Sequence, residues 1–272
     1  MRITKRQIEE VAKYNVVIIS GASSGIGECF AEFILKAIKL AQSNTIVFNL
    51  SRSETKFDLL ENFNSIKCDL TNSDDLENAT KQIKETIKKI STPKILLINN
   101  SGFGAYGEFP MPNEAHNLRM IDLNVRALTA LTSKFLPEIK ANNGAVVNIA
   151  STASFQPCPF LSVYAATKSY VKSFTLSIAY ELQGKAKCLC VCPGPTSSMF
   201  FKSAGFDSAP LPSGFGHKPF DVVSAVFTAL AKNKKIVVVG KLNSLQAFLT
   251  SFIPTNLMLK ISGAILKKIR KV

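Results

Sequence analysis

Short apolar runs alternate along this chain with longer segments of helical periodicity, and this alternation restricts the fold more than any other feature. Seven runs predict β-strands, at residues 16–19, 46–50, 65–68, 95–99, 145–150, 187–191 and 236–239. The segments between them predict helices at residues 26–40, 73–90 (with Ser73 as N-cap), 117–136, 163–182 and 220–231. Strands that are apolar on both faces and alternate with helices form parallel sheets covered on both sides. We therefore expect an α/β protein with a doubly wound Rossmann-type fold, a parallel seven-stranded sheet with helices on both faces.

A glycine-rich turn joins the first predicted strand to the helix that follows it. Its sequence is Ser20-Gly21-Ala22-Ser23-Ser24-Gly25-Ile26-Gly27. Glycines let the backbone approach a pyrophosphate, and the helix N-terminus supplies N–H donors and the positive end of a dipole. The turn therefore predicts a dinucleotide phosphate site formed by Gly21, Ser23, Ser24, Gly25, Ile26 and Gly27. A tight turn that binds no ligand is the alternative.

The end of the second predicted strand bears on which dinucleotide is bound. An acidic residue there would bind the adenosine ribose hydroxyls of NAD, but this strand ends in Leu50-Ser51-Arg52. Arg52 can form charge-assisted hydrogen bonds to a 2′-phosphate and Ser51 can add a hydroxyl, so the predicted cofactor is NADP(H). Arg52 as a solvated loop residue is the alternative. Asp69 is expected either to accept a hydrogen bond from adenine N6 or to cap a helix.

Tyr164 and Lys168 are four residues apart in a predicted helix, so they lie on one face, one turn apart. A neighbouring ammonium favours the phenolate, and so does the positive charge of oxidised nicotinamide. Lowering the pKa of a tyrosine from ~10 to about 7 takes roughly 4 kcal/mol, which two nearby cations can supply in a partly dry site. Ser151 follows the fifth strand, where a doubly wound sheet binds ligands, and its hydroxyl is predicted to hold the substrate oxygen. A cap or turn is the alternative role of Ser151.

Together these features resemble the short-chain dehydrogenase/reductase family in its compact, NADP-preferring branch, over residues 15–239. The resemblance rests also on Asn99-Asn100-Ser101-Gly102 after the fourth strand, Asn124 in the next helix and Pro193-Gly194 after the sixth strand. It implies hydride transfer between NADP(H) and a small-molecule carbonyl or alcohol. It also implies a homodimer or homotetramer, joined through the helices that carry Asn124 and Tyr164.

The resemblance implies a role for each matching position. Tyr164 would be the acid–base, and Lys168 would bind the nicotinamide ribose and lower the Tyr164 pKa. Ser151 would orient the carbonyl, Asn124 would hold a water in a proton relay, and Asn99 would stabilise the central sheet. Beyond the glycine turn, the residues expected to line the cofactor are Ser51, Arg52, Asp69, Leu70, Asn100, Ser101, Gly102, Tyr164, Lys168, Pro193, Gly194, Thr196 and Ser198.

Two segments near the C-terminus bear on the substrate and on partners. Residues 197–219 are expected to form a lid for a hydrophobic substrate, or else to pack onto the body, through Met199, Phe200, Phe201, Phe206 and Phe215. Residues 242–272 are expected to extend the catalytic domain, residues 1–241, as basic amphipathic helices separated by Pro254. This extension is predicted to fold over the active site or to pair with another subunit. Peripheral contact with an anionic membrane is the alternative.

Composition narrows the remaining classes of function. The net charge of +14 suits anionic partners, but no nucleic-acid-binding motif accompanies it, so we expect no nucleic-acid partner. The six cysteines form no CxxC pair, and Cys188, Cys190 and Cys192 alternate in an apolar run. This pattern indicates buried thiols without a metal and a cytoplasmic protein. A catalytically silent NADP-binding scaffold or redox sensor is the alternative to an enzyme.

Overall fold

The computed structural model describes residues 2–196 and 216–270, and its centre is one parallel sheet. The order of the strands is β3-β2-β1-β4-β5-β6-β7. The strands are β1 (Val16–Ser20), β2 (Ile46–Ser51), β3 (Phe63–Lys67), β4 (Ile95–Asn99), β5 (Ala145–Ile149), β6 (Lys187–Cys192) and β7 (Ile236–Val238). The seven predicted strands and the doubly wound, Rossmann-type fold are confirmed. The chain reverses its direction of growth between β1 and β4, and such switch points create a ligand crevice at the carboxyl ends of the strands.

Helices cover both faces of the sheet. The α-helices are α1 (Lys5–Val11), α2 (Gly25–Ala41), α3 (Ser73–Ile87), α4 (Glu114–Ile121), α5 (Leu128–Ala141), α6 (Ser162–Glu181), α7 (Pro219–Ala231), α8 (Lys241–Leu249) and α9 (Thr255–Arg270). Side chains alternate along each strand, so Val17 and Ile19 of β1 pack with α2 and α7, while Val16 and Ile18 pack with α3 and α5. The two resulting apolar layers hold the carboxyl edge of the sheet in place.

Helix α3 begins at a different residue from the one predicted as its cap. The N-cap is Asn72, whose side-chain oxygen accepts hydrogen bonds from the N–H groups of Asp74 and Asp75. Ser73 is instead the first helical residue, and its hydroxyl accepts a bond from Arg126. An asparagine oxygen reaches these donors as well as a serine hydroxyl does, so the pattern of residue types could not choose between adjacent positions.

The helix predicted at residues 117–136 is longer and is not uniform. It comprises α4, a π-helical segment (Asp122–Ala127) and α5. A π-helical turn inserts one extra residue into the helical repeat and often marks a functional site. The insertion contains Asn124, one of the residues expected at the active site.

Helix α1 lies in the N-terminal segment, where the sequence pattern predicted no element. Thr4 caps it, and the Gln7 amide donates to the Ser224 hydroxyl of α7 at 2.9 Å. Glu10 is fully buried and receives Lys187 of β6 at 2.5 Å. These contacts fix α1 against α7 and the sheet, through residues that are distant from α1 in the sequence.

The C-terminal segment forms the two helices expected on either side of Pro254, which are α8 and α9, with a 3-10 turn (Thr250–Phe252) between them. Helix α9 is fastened to the body by Ser262, which donates to the Pro157 carbonyl at 3.1 Å. Tyr106 donates to the Leu266 carbonyl at 3.0 Å. In residues 2–196 and 216–270, no helix has the length and apolar character needed to cross a membrane.

Candidate active site

A cleft of about 810 Å³ opens at the carboxyl ends of the strands, and it brings together most of the expected site residues. Those on its lining are Gly21, Ser23, Ser24, Gly25, Ile26, Ser51, Arg52, Asp69, Leu70, Asn100, Ser101, Gly102, Ser151, Tyr164, Lys168, Pro193, Gly194 and Thr196. Gly27 and Asn124 are absent from the lining and contact residues that belong to it. Ser198, and the lid residues named above, lie outside the described residues.

The glycine turn is shaped for close backbone approach. Gly21 has a φ of +76°, which side chains rarely adopt, and a Cβ there would lie 2.6 Å from the Ser101 hydroxyl. A Cβ on Gly27 would lie 1.9 Å from the Gly21 carbonyl oxygen. The turn and the first turn of α2 can therefore pack this tightly only with glycine at both positions. A narrow backbone cradle at a helix N-terminus fits a pyrophosphate, so the residues present fit a dinucleotide.

Buried polar side chains hold the glycine turn in position. The Ser20 hydroxyl accepts hydrogen bonds from the N–H groups of Asn100 and Ser101, both at 3.0 Å. The Asn100 side chain donates back to the carbonyls of Ser20 and Gly21. Asn49 of β2, which the sequence analysis did not single out, accepts from the Ala22 N–H at 3.0 Å. An asparagine inside an apolar strand was the available signal, because a buried amide requires partners.

At the end of β2, where the choice between NAD and NADP was expected to be made, the Ser51 hydroxyl is already hydrogen-bonded within the protein. The Ser51 hydroxyl donates to the Ser53 carbonyl at 2.6 Å and accepts from Asn49 at 2.9 Å, so it stabilises the loop after β2. Arg52 is exposed on the rim of the cleft. Of the two residues expected to contact a 2′-phosphate, the Ser51 hydroxyl is therefore engaged within the protein, and Arg52 is exposed beside the cleft.

Asp69 is bonded on both carboxylate oxygens. Oδ1 accepts from the Thr71 N–H and hydroxyl, and Oδ2 pairs with Arg119 at 2.9 Å. Burial acts to raise the pKa of Asp69, but the bonds from Thr71 and the charge of Arg119 hold it below its usual value. The alternative that Asp69 caps α3 is wrong, because Asn72 occupies that position. Arg119 is a cleft residue that the sequence analysis missed, since α4 carries no recognisable motif.

Ser151, Tyr164 and Lys168 converge on the same side of the cleft. The Ser151 hydroxyl is hydrogen-bonded to the Tyr164 side chain, as the predicted site requires. It also accepts from the Ala153 N–H at 3.1 Å and caps the 3-10 turn Thr152–Phe155. The cap role of Ser151 is therefore confirmed, and the cap holds its hydroxyl beside Tyr164.

The pKa of Tyr164 shifts in the direction opposite to expectation. Burial raises it to about 12, because the phenolate loses its hydration. The Lys168 ammonium donates to the Ile149 carbonyl at 2.8 Å and lies 5.8 Å from the centre of the Tyr164 ring. Burial lowers the pKa of Lys168 to about 8. Lys168 thus lies beside Tyr164, and burial, opposed by the hydrogen bond from Ser151, is the largest cause of the raised Tyr164 pKa.

The π-helical turn directs Asn124 toward the loop after β4. Its side chain accepts from the Phe103 N–H at 3.1 Å and donates to the Phe103 carbonyl at 2.9 Å. It also donates to the Thr167 hydroxyl of α6 at 3.1 Å. Asn124 therefore links α6 to the backbone that follows Gly102. Asn99 in turn donates to Asn148 of β5 at 2.8 Å, in the centre of the sheet.

The segment after β6 is closed in by α8. A Cβ on Gly194 would lie 2.3 Å from the Asn243 amide of α8. Asn243 also contacts the His217 ring at 3.0 Å, and Thr196 forms a β-bridge with His217. Pro193 accepts from the Thr152 N–H at 2.9 Å. Thr196 and His217 are thereby held beside Asn243, which lines the cleft.

Helix α9 supplies an apolar wall of the cleft, in agreement with the expectation that the C-terminal segment folds over the active site. We call Met258, Ile261, Ile265 and Leu266 the helical wall, since all four line the cleft. The amphipathic pattern of the C-terminal segment predicted a buried stripe. It could not tell which residues face the cleft, because that depends on contacts with the distant loop that contains Pro157.

The cysteines are all reduced. Each of the six is free and buried, and the sulfur atoms of Cys190 and Cys192 lie 3.7 Å apart on one face of β6. In the part of the chain that the structure describes, no group of three or more His, Cys, Asp or Glu side chains could hold a metal ion.

Comparisons with known proteins agree with this arrangement. The family model described as short chain dehydrogenase matches residues 15–207. The chain is 30% identical over 246 residues to ketoacyl reductase HetN of Nostoc sp., covering 86% of this chain and 81% of that protein. It is 29% identical over 188 residues to serine 3-dehydrogenase of Agrobacterium fabrum, covering 68% and 73% respectively. A short-chain dehydrogenase from Sphingobium yanoikuyae, solved in complex with NADPH, aligns with a TM-score of 0.69 and 25% identity over 88% of this chain and 96% of that one.

Proposed function

Since the chain belongs to the short-chain dehydrogenase/reductase family, we propose that it transfers a hydride between NADP(H) and a carbonyl or alcohol. The observation that carries this proposal is the placement of Ser151, Tyr164 and Lys168 on the cleft that also contains the glycine turn. A cofactor held by the turn and a substrate held by Ser151 would meet inside one cleft. The catalytically silent scaffold or redox sensor remains the alternative that the experiment below tests.

The proposed cofactor contacts follow the lining of the cleft. The glycine turn holds the pyrophosphate, Asp69 and Leu70 border the adenine, and Arg52 pairs with the 2′-phosphate. The loops at Asn100–Gly102 and Pro193–Thr196, with Ser198, line the nicotinamide half. When bound, the nicotinamide supplies or accepts the hydride. Two features support a preference for NADP(H). Neither Ser51, which ends β2, nor Arg52, which follows it, is an acidic residue that would repel the 2′-phosphate, and Arg52 can pair with that phosphate.

In the proposed mechanism, Tyr164 moves the proton that accompanies the hydride. During reduction its hydroxyl donates to the carbonyl oxygen, which Ser151 orients by hydrogen bonding. The raised pKa of Tyr164 keeps the phenol protonated at neutral pH, so the proton to be donated is present. Lys168 binds the nicotinamide ribose and favours the phenolate that forms. Asn124 positions the loop at Phe103 and holds a water in the proton relay.

The helical wall supports a hydrophobic substrate. Met258, Ile261 and Ile265 place apolar surface inside the cleft that contains Tyr164, and such lining favours ligands with a hydrocarbon body. We propose that residues 1–241 form the catalytic domain, with a lid at residues 197–219, and that residues 242–272 are an extension completing the substrate side.

The proposed assembly is a cytoplasmic homodimer or homotetramer. Six reduced cysteines fit a reducing compartment. The helices that carry Asn124 and Tyr164 are the proposed contacts between subunits. On α6, Tyr170 is 39% exposed and stacks on Phe174 at 5.5 Å, which provides an aromatic surface for such a contact.

Replacing the phenol tests the proposal. Tyr164→Phe should lower the rate of NADPH oxidation by about 10²- to 10⁴-fold, because general acid catalysis contributes that much. Its affinity for NADPH should remain near that of the wild type. The chain contains no tryptophan whose emission could report binding, so binding is followed by the fluorescence of NADPH itself. Aliphatic carbonyls of increasing chain length and aromatic carbonyls serve as substrates.

Tyr170→Phe is the matched control. It removes a hydroxyl from the same helix, where Tyr170 is bonded to Thr129 at 3.0 Å, and it should retain activity. Equal loss of activity in both variants would contradict the role of Tyr164. NADPH binding by the wild type without oxidation by any substrate would favour the silent scaffold.

A further inference from the structure

The C-terminal helices expose an unusual amount of apolar surface. Half of the exposed large apolar side chains in the described chain belong to α8, α9 and the turn between them. We call these nine residues the α8–α9 face: Leu242, Leu245, Phe248, Leu249, Phe252, Leu257, Leu259, Ile261 and Ile265. Leu242 is 83% exposed and Phe252 is 70% exposed. Exposed apolar side chains concentrated on two consecutive helices indicate an interaction site.

The apolar residues are arranged as in a surface-binding helix. Leu257, Ile261 and Ile265 are four residues apart and form one stripe along α9. On α8, Leu242, Leu245 and Leu249 share one side in the same way. Phe248 and Phe252 meet edge to face at 5.0 Å and join α8 to the turn. Side chains in such stripes can enter an apolar phase together.

The charged residues carried by α8 and α9 are all positive. Lys241, Lys260, Lys267 and Lys268 are exposed on the same two helices. No aspartate or glutamate occurs after Asp221 in the sequence. Basic residues beside exposed leucine and phenylalanine are the combination that attracts a helix to anionic lipid headgroups.

We propose that the α8–α9 face docks on an anionic lipid bilayer. A second copy of the chain is a poorer occupant, because a twofold contact would bring the same lysines together and like charges repel. An anionic bilayer neutralises these lysines, and its acyl boundary accepts the leucines and phenylalanines. The charge of the face therefore selects a lipid surface over self-association.

The α8–α9 face adjoins the cleft, so docking would bring the cleft close to the bilayer. Ile261 and Ile265 line the cleft and are also 39% and 50% exposed, so the helical wall continues onto the α8–α9 face. A hydrophobic substrate dissolved in the bilayer could thus pass along apolar surface into the cleft. This route rests on the proposed function, whereas docking itself does not.

Sedimentation with sucrose-loaded vesicles tests the docking without using enzyme activity. The full chain should sediment with phosphatidylcholine vesicles that contain phosphatidylserine, and much less with phosphatidylcholine alone or at high salt. Lys260→Glu/Lys268→Glu should reduce the bound fraction by about tenfold or more, since each basic residue contributes to surface attraction. Phe248→Ala/Phe252→Ala should reduce it similarly through loss of apolar contact.

Matched variants at other sites distinguish binding through the α8–α9 face from a general effect of net charge or of exposed apolar side chains. Lys5→Glu/Lys81→Glu changes the net charge by the same amount at exposed lysines of α1 and α3. Leu59→Ala/Tyr180→Ala removes two exposed apolar side chains elsewhere. Both controls should bind vesicles as the wild type does.

Three outcomes would overturn the proposal. The first is that the wild type does not sediment with anionic vesicles. The second is that the control pairs lose as much binding as the α8–α9 pairs. The third is an oligomer, seen by size exclusion, that Phe248→Ala/Phe252→Ala dissociates without any vesicle binding by the wild type. Circular dichroism and NADPH binding establish that each variant is folded. If the wild type docks on vesicles but does not bind NADPH, the proposed function is contradicted and the docking is not.

Discussion

The two sides of the cleft are built in different ways. The side formed by the strand ends, which we call the sheet wall, is held in place by backbone groups and by side-chain amides such as those of Asn49, Asn100 and Asn124. The helical wall of α9 faces it with apolar side chains and is held by a few contacts, among them Ser262 to the Pro157 carbonyl. The sheet wall therefore presents polar groups held by hydrogen bonds, which fit the proposed cofactor, whereas the helical wall presents apolar side chains, which fit the proposed hydrophobic substrate.

The largest expected effect is on stability, and it contrasts a glycine of the sheet wall, Gly27, with a glycine of α9, Gly263. Gly27→Ala should cost about 3 kcal/mol in the free energy of unfolding, because the new Cβ would lie 1.9 Å from the Gly21 carbonyl oxygen, and backbone has little room to yield. The variant should also lose NADPH binding. In Gly263→Ala the Cβ would lie 3.6 Å from Pro159, an ordinary contact, so this change inside α9 should be neutral or stabilising. Urea unfolding measures the free energy of unfolding of both variants. Equal destabilisation would contradict the claim that the glycine turn is packed more tightly than α9.

A smaller effect is expected where the sheet wall meets the 2′-phosphate. Arg52→Ala should weaken NADPH binding by about 2 kcal/mol, or roughly thirtyfold, because a charge-assisted hydrogen bond is lost. NADH lacks the phosphate, so its dissociation constant serves as the internal control and should change little. A parallel loss for both nucleotides would mean that Arg52 supports the loop and not the choice of cofactor.

The smallest effect concerns the buried ammonium at the base of the sheet wall. On folding, the pKa of Lys168 falls from 10.5 to about 8 because burial disfavours its charge. Between these values the unfolded chain holds a proton that the folded chain has lost, so stability from this group rises with pH. Relative to Lys168→Met, the wild type should gain about 1 kcal/mol in the free energy of unfolding between about pH 8 and pH 9. Urea unfolding of both proteins without added nucleotide measures it; a gain of the opposite sign would contradict the burial of the charge.

The sheet wall could largely be predicted from the sequence. Strands that are apolar throughout fix the parallel sheet, and the spacing of Gly21, Tyr164 and Lys168 places them by local geometry. The identity of the α3 cap, the π-helical turn at Asn124 and the occupied Ser51 hydroxyl could not be predicted. Each of these depends on which neighbouring group competes for a hydrogen bond.

The helical wall and α1 could not be predicted in the same way. An amphipathic pattern gives the spacing of a buried stripe, but its partner is chosen by tertiary contacts. Gln7 meets Ser224, and Tyr106 meets Leu266, across more than half of the chain. The direction of the Tyr164 pKa was also wrong, since adjacency to Lys168 says nothing about the desolvation of the phenol.

A crystal structure with NADPH bound tests the account most directly. We expect the pyrophosphate at the glycine turn of the sheet wall and the nicotinamide ring beside the Tyr164 hydroxyl, with Lys168 on the ribose and the helical wall opposite. A nicotinamide ring that lies outside the cleft, or a Tyr164 hydroxyl directed away from the ring, would contradict it.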